Sequence, residues 1–173
     1  MERVSKPMNF GNLMRTAHAF GASFVFTVDP AFRIETPQSD TSKAPHHLPL
    51  YNWRSVEEMS LPQGCSLVGV ELLDEAVDLP SFRHPSRAAY VLGPERGALT
   101  SEMVARCDFL VRIPAAFCVN VATAGAIVMY DRMISMGRFA ERPVSPSGPA
   151  TPLPEHRHGA PLLRKPPPHA ADE

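Results

Sequence analysis

The chain has 173 residues, of which 44% are hydrophobic and 20% charged, and a net charge of −1. That is the size and composition of one globular domain with a single core. It excludes a transmembrane helix, since no apolar run reaches roughly 18 residues, and it lacks the basic excess of a general nucleic-acid binder, so any RNA contacts must be concentrated locally.

Met1–Lys6 carries no apolar segment of a secretory signal. Cys65, Cys107 and Cys118 are odd in number and far apart, with no CxxC. This argues against a disulfide framework or a zinc site and for reduced thiols in a cytoplasmic setting.

In chain order, Asn12–Phe20 predicts a helix stopped by Gly21. Ser23–Val28 is a short β-rich run closed by Asp29-Pro30. Residues 31–47 predict a long loop, Leu48–Tyr51 a short strand, and Trp53–Ser60 a short helix. Leu67–Leu72 and Ala88–Leu92 are strands. Thr100 predicts an N-cap, with Glu102 in the first turn of a helix that runs to Cys107. Phe109–Ile113 is a further strand and Val119–Arg138 a long helix. This alternation implies an α/β fold, a mainly parallel sheet with helices on both faces.

Residues 141–173 hold nine prolines and no aromatic residue. Such a segment buries too little apolar surface to offset its ordering entropy, so it is expected to be a disordered tail behind a domain of residues 1–140. His156, His158 and His169 lie there and read as solvated. Only Met1–Ser5 precede the first motif. They are too few and too polar for a central strand, and the expectation is that an apolar strand ahead of them is missing.

Three segments carry chemistry. In Asn9-Phe10-Gly11-Asn12-Leu13-Met14-Arg15-Thr16-Ala17, Gly11 permits a tight turn, Asn12 is a candidate cap, and Arg15 lies one turn on, where its fork can reach an anion. A solvated arginine on an ordinary helix stays open as the alternative. In Gly93-Pro94-Glu95-Arg96-Gly97-Ala98-Leu99, an apolar strand runs into a loop at the strand's C-terminal end, where ligands bind in parallel sheets. A surface turn with two solvated charges is the alternative there. In Ile113-Pro114 followed by Phe117-Cys118-Val119-Asn120-Val121-Ala122-Thr123-Ala124, small residues at a helix start allow close backbone approach. Asn120 needs partners if buried; a simple helix cap explains it equally.

Together and in this order, the three segments resemble the motifs of the SpoU/TrmH family of RNA methyltransferases, within the SPOUT superfamily. The resemblance spans about residues 5–138. It implies a deep trefoil knot in the C-terminal part of the domain and S-adenosyl-L-methionine as methyl donor, with no metal. The cofactor would be held by loops that include Val70, Glu71, Leu72, Gly93, Ile113, Cys118, Val119 and Ala122. It implies a homodimer whose RNA site draws on both subunits, with Val119–Met136 and the first helix as interface candidates. The implied reaction is 2′-O-methylation of ribose, with tRNA as the expected RNA. Arg15 matches the family's essential arginine, while Asn9, Glu95 and Asn120 match its other motif positions. A guanidinium keeps its proton, so binding phosphate and stabilising a developing alkoxide suits Arg15 better than acting as a base.

Two departures stand out. Cys118 replaces the family's usual serine with a weaker hydrogen-bond donor, and a small-residue packing role fits it better than nucleophilic catalysis. The second is size: the expectation is a minimal form of the family, without a separate RNA-binding domain ahead of the motifs. RNA contacts would then fall to Arg3, Lys6, Lys43, His46, His47 and Arg54, or to Arg83, Arg87 and Arg96. A catalytically silent RNA-binding protein, or a SAM-dependent base methyltransferase, are the competing readings on the same scaffold.

Overall fold

The computed structural model describes residues 1–34, 48–137 and 139. The Pro-rich tail, its histidines, and Lys43, His46 and His47 lie outside the described residues. All strand pairs are parallel. Strands β1 (Val25–Val28) and β2 (Leu50–Trp53) form one ladder. Strands β3 (Ser66–Val70), β4 (Val77–Asp78), β5 (Ala88–Leu92) and β6 (Phe109–Arg112) form another, in the order β4-β6-β3-β5.

Between the two ladders lies the start of the chain. Met1 N donates to the Phe26 carbonyl at 2.7 Å and Val28 N–H to the Met1 carbonyl at 2.9 Å. Glu2 N–H reaches the Leu92 carbonyl at 2.9 Å and Arg3 N–H the Val28 carbonyl at 2.8 Å. Residues 1–3 are therefore a strand stub that joins β1 to β5, although Arg3 adopts a positive φ of 50° as the chain turns out of it. Glu2 is 1% exposed, and its carboxylate accepts the Thr100 hydroxyl at 2.6 Å and the Thr100 N–H at 2.9 Å. A buried carboxylate needs such donors.

Helices cover both faces of the sheet. Helix α1 (Pro7–Ala19) and helix α3 (Val121–Met136) pack on one face, where Phe10, Leu13, Met14, Val25 and Leu92 are buried. Short helix α2 (Ser101–Arg106) covers the other, with Met103 against Phe26, Leu67, Ala89 and Val91. The alternation of β5 explains this division: Ala89 and Val91 face α2, whereas Ala88, Tyr90 and Leu92 face the α1–α3 side. Arg112 Nε pairs with Asp78 at 2.7 Å and fastens the short edge strand β4. Buried His84 bonds the Tyr90 hydroxyl at 2.6 Å and the Asp131 carboxylate at 2.8 Å, tying β5 to α3.

Several element boundaries differ from the sequence reading. Helix α1 begins at Pro7, five residues before Asn12. Pro7 stands at a first-turn position, where its missing N–H costs nothing. Gly11 and Asn12 are consequently interior to the helix rather than a turn and a cap. Residues 54–58 form turns instead of the expected short helix. There Arg106 donates to the Val56 and Met59 carbonyls from α2, so a distant side chain supplies the donors for this turn's carbonyls. Strand β2 starts at Leu50, two residues late, and β4 was not foreseen.

Helices α1 and α3 approach closely at Gly125, where a Cβ would collide with the Leu13 side chain. Leu13 is 5% exposed and has little room to yield. Gly125→Val should therefore destabilise the fold by about 1–3 kcal/mol, measured as a lowered urea midpoint; an unchanged midpoint would show that the contact is slack.

Candidate functional site

The site is built where two helix N-termini converge on the C-terminal end of β5. Helix α1 has no side-chain cap of its own from Lys6. The cap comes instead from Glu95, in the loop after β5. Its carboxylate accepts the Ser5 N–H at 2.9 Å, the Ser5 hydroxyl at 2.7 Å, the Lys6 N–H at 3.0 Å and Asn9 Nδ2 at 3.1 Å. An anion at a helix N-terminus is also favoured by the helix dipole. Desolvation would raise the Glu95 pKa, but the Ser5 hydroxyl, backbone N–H groups and Asn9 outweigh it and hold the carboxyl down at about 2.

Helix α3 is capped by Asn120, whose Oδ1 accepts the Ala122 N–H at 2.9 Å and the Thr123 N–H at 3.4 Å. Its Nδ2 donates to Asn9 Oδ1 at 3.1 Å. Glu95, Asn9 and Asn120 thus form one continuous chain of hydrogen bonds from the β5 loop through α1 to α3. Asn9 is 7% exposed and satisfied on both sides of its amide. Three residues drawn from three distant segments meet here.

Beside this chain lies a cavity of about 240 Å³. Of the eight residues expected to hold a cofactor, Val70, Glu71, Leu72, Gly93, Ile113, Cys118 and Val119 line it. Ala122 does not; it is buried, with its N–H on the Asn120 cap. Glu71 is locked in place by the Leu72 N–H at 3.0 Å and the Leu99 N–H at 2.8 Å. Gly93 makes this possible, because a Cβ there would lie 3.2 Å from Glu71 Oε2 and 3.1 Å from the Leu99 nitrogen. Cys118 is exposed at the rim. The interior thiol Cys107 is pushed up to about 11 by burial, with Asp108 and Glu2 adding to it.

Arg15 stands apart. It lies on the solvent-facing side of α1, with Met8, Asn12 and Ala19, and is not among the residues that line its own chain's cavity. Sequence reasoning missed the two anchors at Ser5 and Lys6, for which Pro7 at the helix start was the available signal. Phe117, which the third segment contains but to which no role is assigned there, lines the cavity while 80% exposed. A larger, mostly apolar cavity of about 690 Å³ lies between β1 and β5, against α1 and α3. It contains none of the motif side chains Asn9, Arg15, Glu95 or Asn120. Among the described residues no group of three His, Cys, Asp or Glu side chains is gathered to hold a metal. No described helix is long and apolar enough to cross a membrane.

The sequence profile of the SpoU rRNA Methylase family matches residues 1–130. A tRNA (guanosine(18)-2′-O)-methyltransferase of Escherichia coli K12 is 28% identical over 137 residues, covering 76% of this chain; the chain spans only 60% of that enzyme's length. The AdoMet-bound rRNA methyltransferase of Sinorhizobium meliloti superposes with a TM-score of 0.67 at 26% identity, over 79% of this chain and 55% of that one. A structure concerned with 2-OH methylation of C/U34 on tRNA gives 0.66 at 26% identity, over 78% of this chain and 87% of its own.

Proposed function

Because the chain belongs to the SpoU rRNA Methylase family, we propose that it transfers a methyl group from S-adenosyl-L-methionine to a ribose 2′-hydroxyl of RNA, with tRNA as the substrate. The observation that carries this reading is the hydrogen-bonded chain Glu95–Asn9–Asn120 set against a cavity lined by seven of the expected cofactor residues.

The cavity suits the cofactor. Val70, Leu72, Ile113 and Val119 offer apolar walls for a purine, Gly93 leaves room beside the backbone, and Glu71 and Glu95 are the acidic residues among the lining, of the sign that suits a cationic ligand. When bound, the cofactor supplies an electrophilic methyl group on a sulfonium. Glu95, Asn9 and Asn120 are positioning residues, because they fix the loop after β5 and the starts of α1 and α3 relative to one another. Arg15 is the catalytic candidate: it binds the phosphate next to the target ribose and stabilises the oxygen as its proton passes to solvent water.

Arg15 is exposed and is not among the residues that line its own chain's cavity, so the reading includes a homodimer in which Arg15 serves the partner's cavity. Exposed Met8 on α1 and exposed Tyr130, Ile134 and Met136 on α3 support a helical interface. The reading also places the protein in the cytoplasm, among its RNA substrates. The test is transfer of labelled methyl from S-adenosyl-L-methionine to total RNA, followed by nucleoside analysis. The expected product is a 2′-O-methylated nucleoside in the tRNA fraction; a methylated base, or no transfer with RNA still bound, would refute the proposal.

A further inference from the structure

The small cavity is one-sided in its charged side chains. Two acidic residues, Glu71 and Glu95, are among its lining residues, and none of its described lining residues is Lys, Arg or His. Neither carboxylate is free to swing away. Glu71 is held by two backbone N–H groups, and Glu95 by four donors. The Gly93 backbone lies so close to Glu71 that any side chain there would press on the carboxylate. Fixed charges of one sign against apolar walls discriminate by ligand charge, since the walls keep the local dielectric below that of water.

Resting on the methyl-transfer reading, we infer that Glu71, with Glu95, makes this cavity selective for the charge of its cofactor. It prefers the sulfonium form before methyl transfer to the neutral thioether left afterwards. The two ligands differ by one methyl group and one positive charge. A methyl group adds little discrimination in a half-open cavity, so the preference comes from the charge. The spent product is thereby released more readily than the donor. Glu71 carries the adjustable part of this effect, because Glu95 is also the anchor of α1 and cannot be changed without disturbing Asn9. In Glu71→Gln the amide oxygen keeps the part-buried Leu99 N–H, and the exposed Leu72 N–H exchanges its carboxylate partner for water.

Calorimetric titration of the intact chain with three ligands tests this. They are S-adenosyl-L-methionine, its thioether product, which lacks the sulfonium charge, and the non-reactive analogue in which an amine-bearing carbon replaces the sulfonium. At low salt the two cationic ligands should bind about five- to tenfold more tightly than the thioether. Raising the salt should shrink that ratio in the unaltered protein, by screening. Glu71→Gln should reduce it to about twofold, by weakening the cationic ligands and sparing the thioether. Equal affinity for all three, or a ratio insensitive to both salt and Glu71→Gln, would overturn charge selection while leaving the cofactor assignment standing. Failure of all three to bind would overturn the cofactor assignment and this inference together. The salt series needs no variant, so misfolding of Glu71→Gln cannot hide the answer.

Discussion

Arg15→Ala should lower methyl transfer by a factor on the order of 10²–10³, as the loss of one preorganised donor to a developing oxyanion does. Its cofactor affinity should stay within about twofold of the original, because the side chain is outside the cavity lining. Single-turnover assays with saturating RNA, beside calorimetry with S-adenosyl-L-methionine, separate the two quantities. A fall in cofactor binding equal to the fall in rate would remove Arg15 from the chemistry and make it a structural residue.

A mixing experiment sharpens the same prediction. Gly93→Val should fill the space beside Glu71 and the Leu99 nitrogen and so spoil cofactor binding. If Arg15 serves the partner's cavity, mixing the Arg15→Ala and Gly93→Val chains gives heterodimers with one complete site. Some activity should then return on mixing two inactive proteins. No recovery, with heterodimers demonstrated by mass, would place Arg15 in its own chain's site.

The second large effect is expected at Glu95. Glu95→Ala removes the acceptor of four hydrogen bonds and leaves the start of α1 without a cap. Partly exposed donors recover some of the loss with water, so the cost to stability should be about 1–3 kcal/mol. The loss in transfer should be much larger than that destabilisation explains, because Asn9 and Asn120 lose their fixed partner. Urea unfolding and transfer rates measured on one preparation would compare the two. An active, well-folded Glu95→Ala protein would refute the positioning role.

The same carboxyl fixes a pH behaviour. Its folded pKa is depressed from 4.5 to about 2, so the stability it contributes is complete above about pH 4.5 and is lost as the pH falls through about 2. Glu95 should therefore add no inflection to the rate profile near neutrality. In Glu95→Gln that acid-side contribution should vanish.

Much of this site is legible in one-dimensional form. Asn9, Glu95 and Asn120 stand out because each is a polar residue at the edge of an apolar element, and their shared order pointed to a family. The sequence holds no direct sign that they touch, since contacts between residues 86 and 111 positions apart arise from topology. The start of α1 was misread because its cap is supplied from another segment, and local capping rules see only neighbours in the chain. Thr100 shows the converse. Its cap is local, accepting the Met103 N–H at 3.2 Å, and it was found directly. The turns at residues 54–58 carry a helix-like pattern overridden by Arg106, a tertiary effect that propensity cannot register.

The stub formed by residues 1–3 has a mechanical consequence. Among the described residues, the ladder bonds between the two halves of the sheet all belong to Met1, Glu2 and Arg3. Ser5, Lys6 and Asn9 follow directly on this stub and hold Glu95, so the pairing of residues 1–3 in the sheet also fixes the height at which the Glu95 anchor meets the loop after β5.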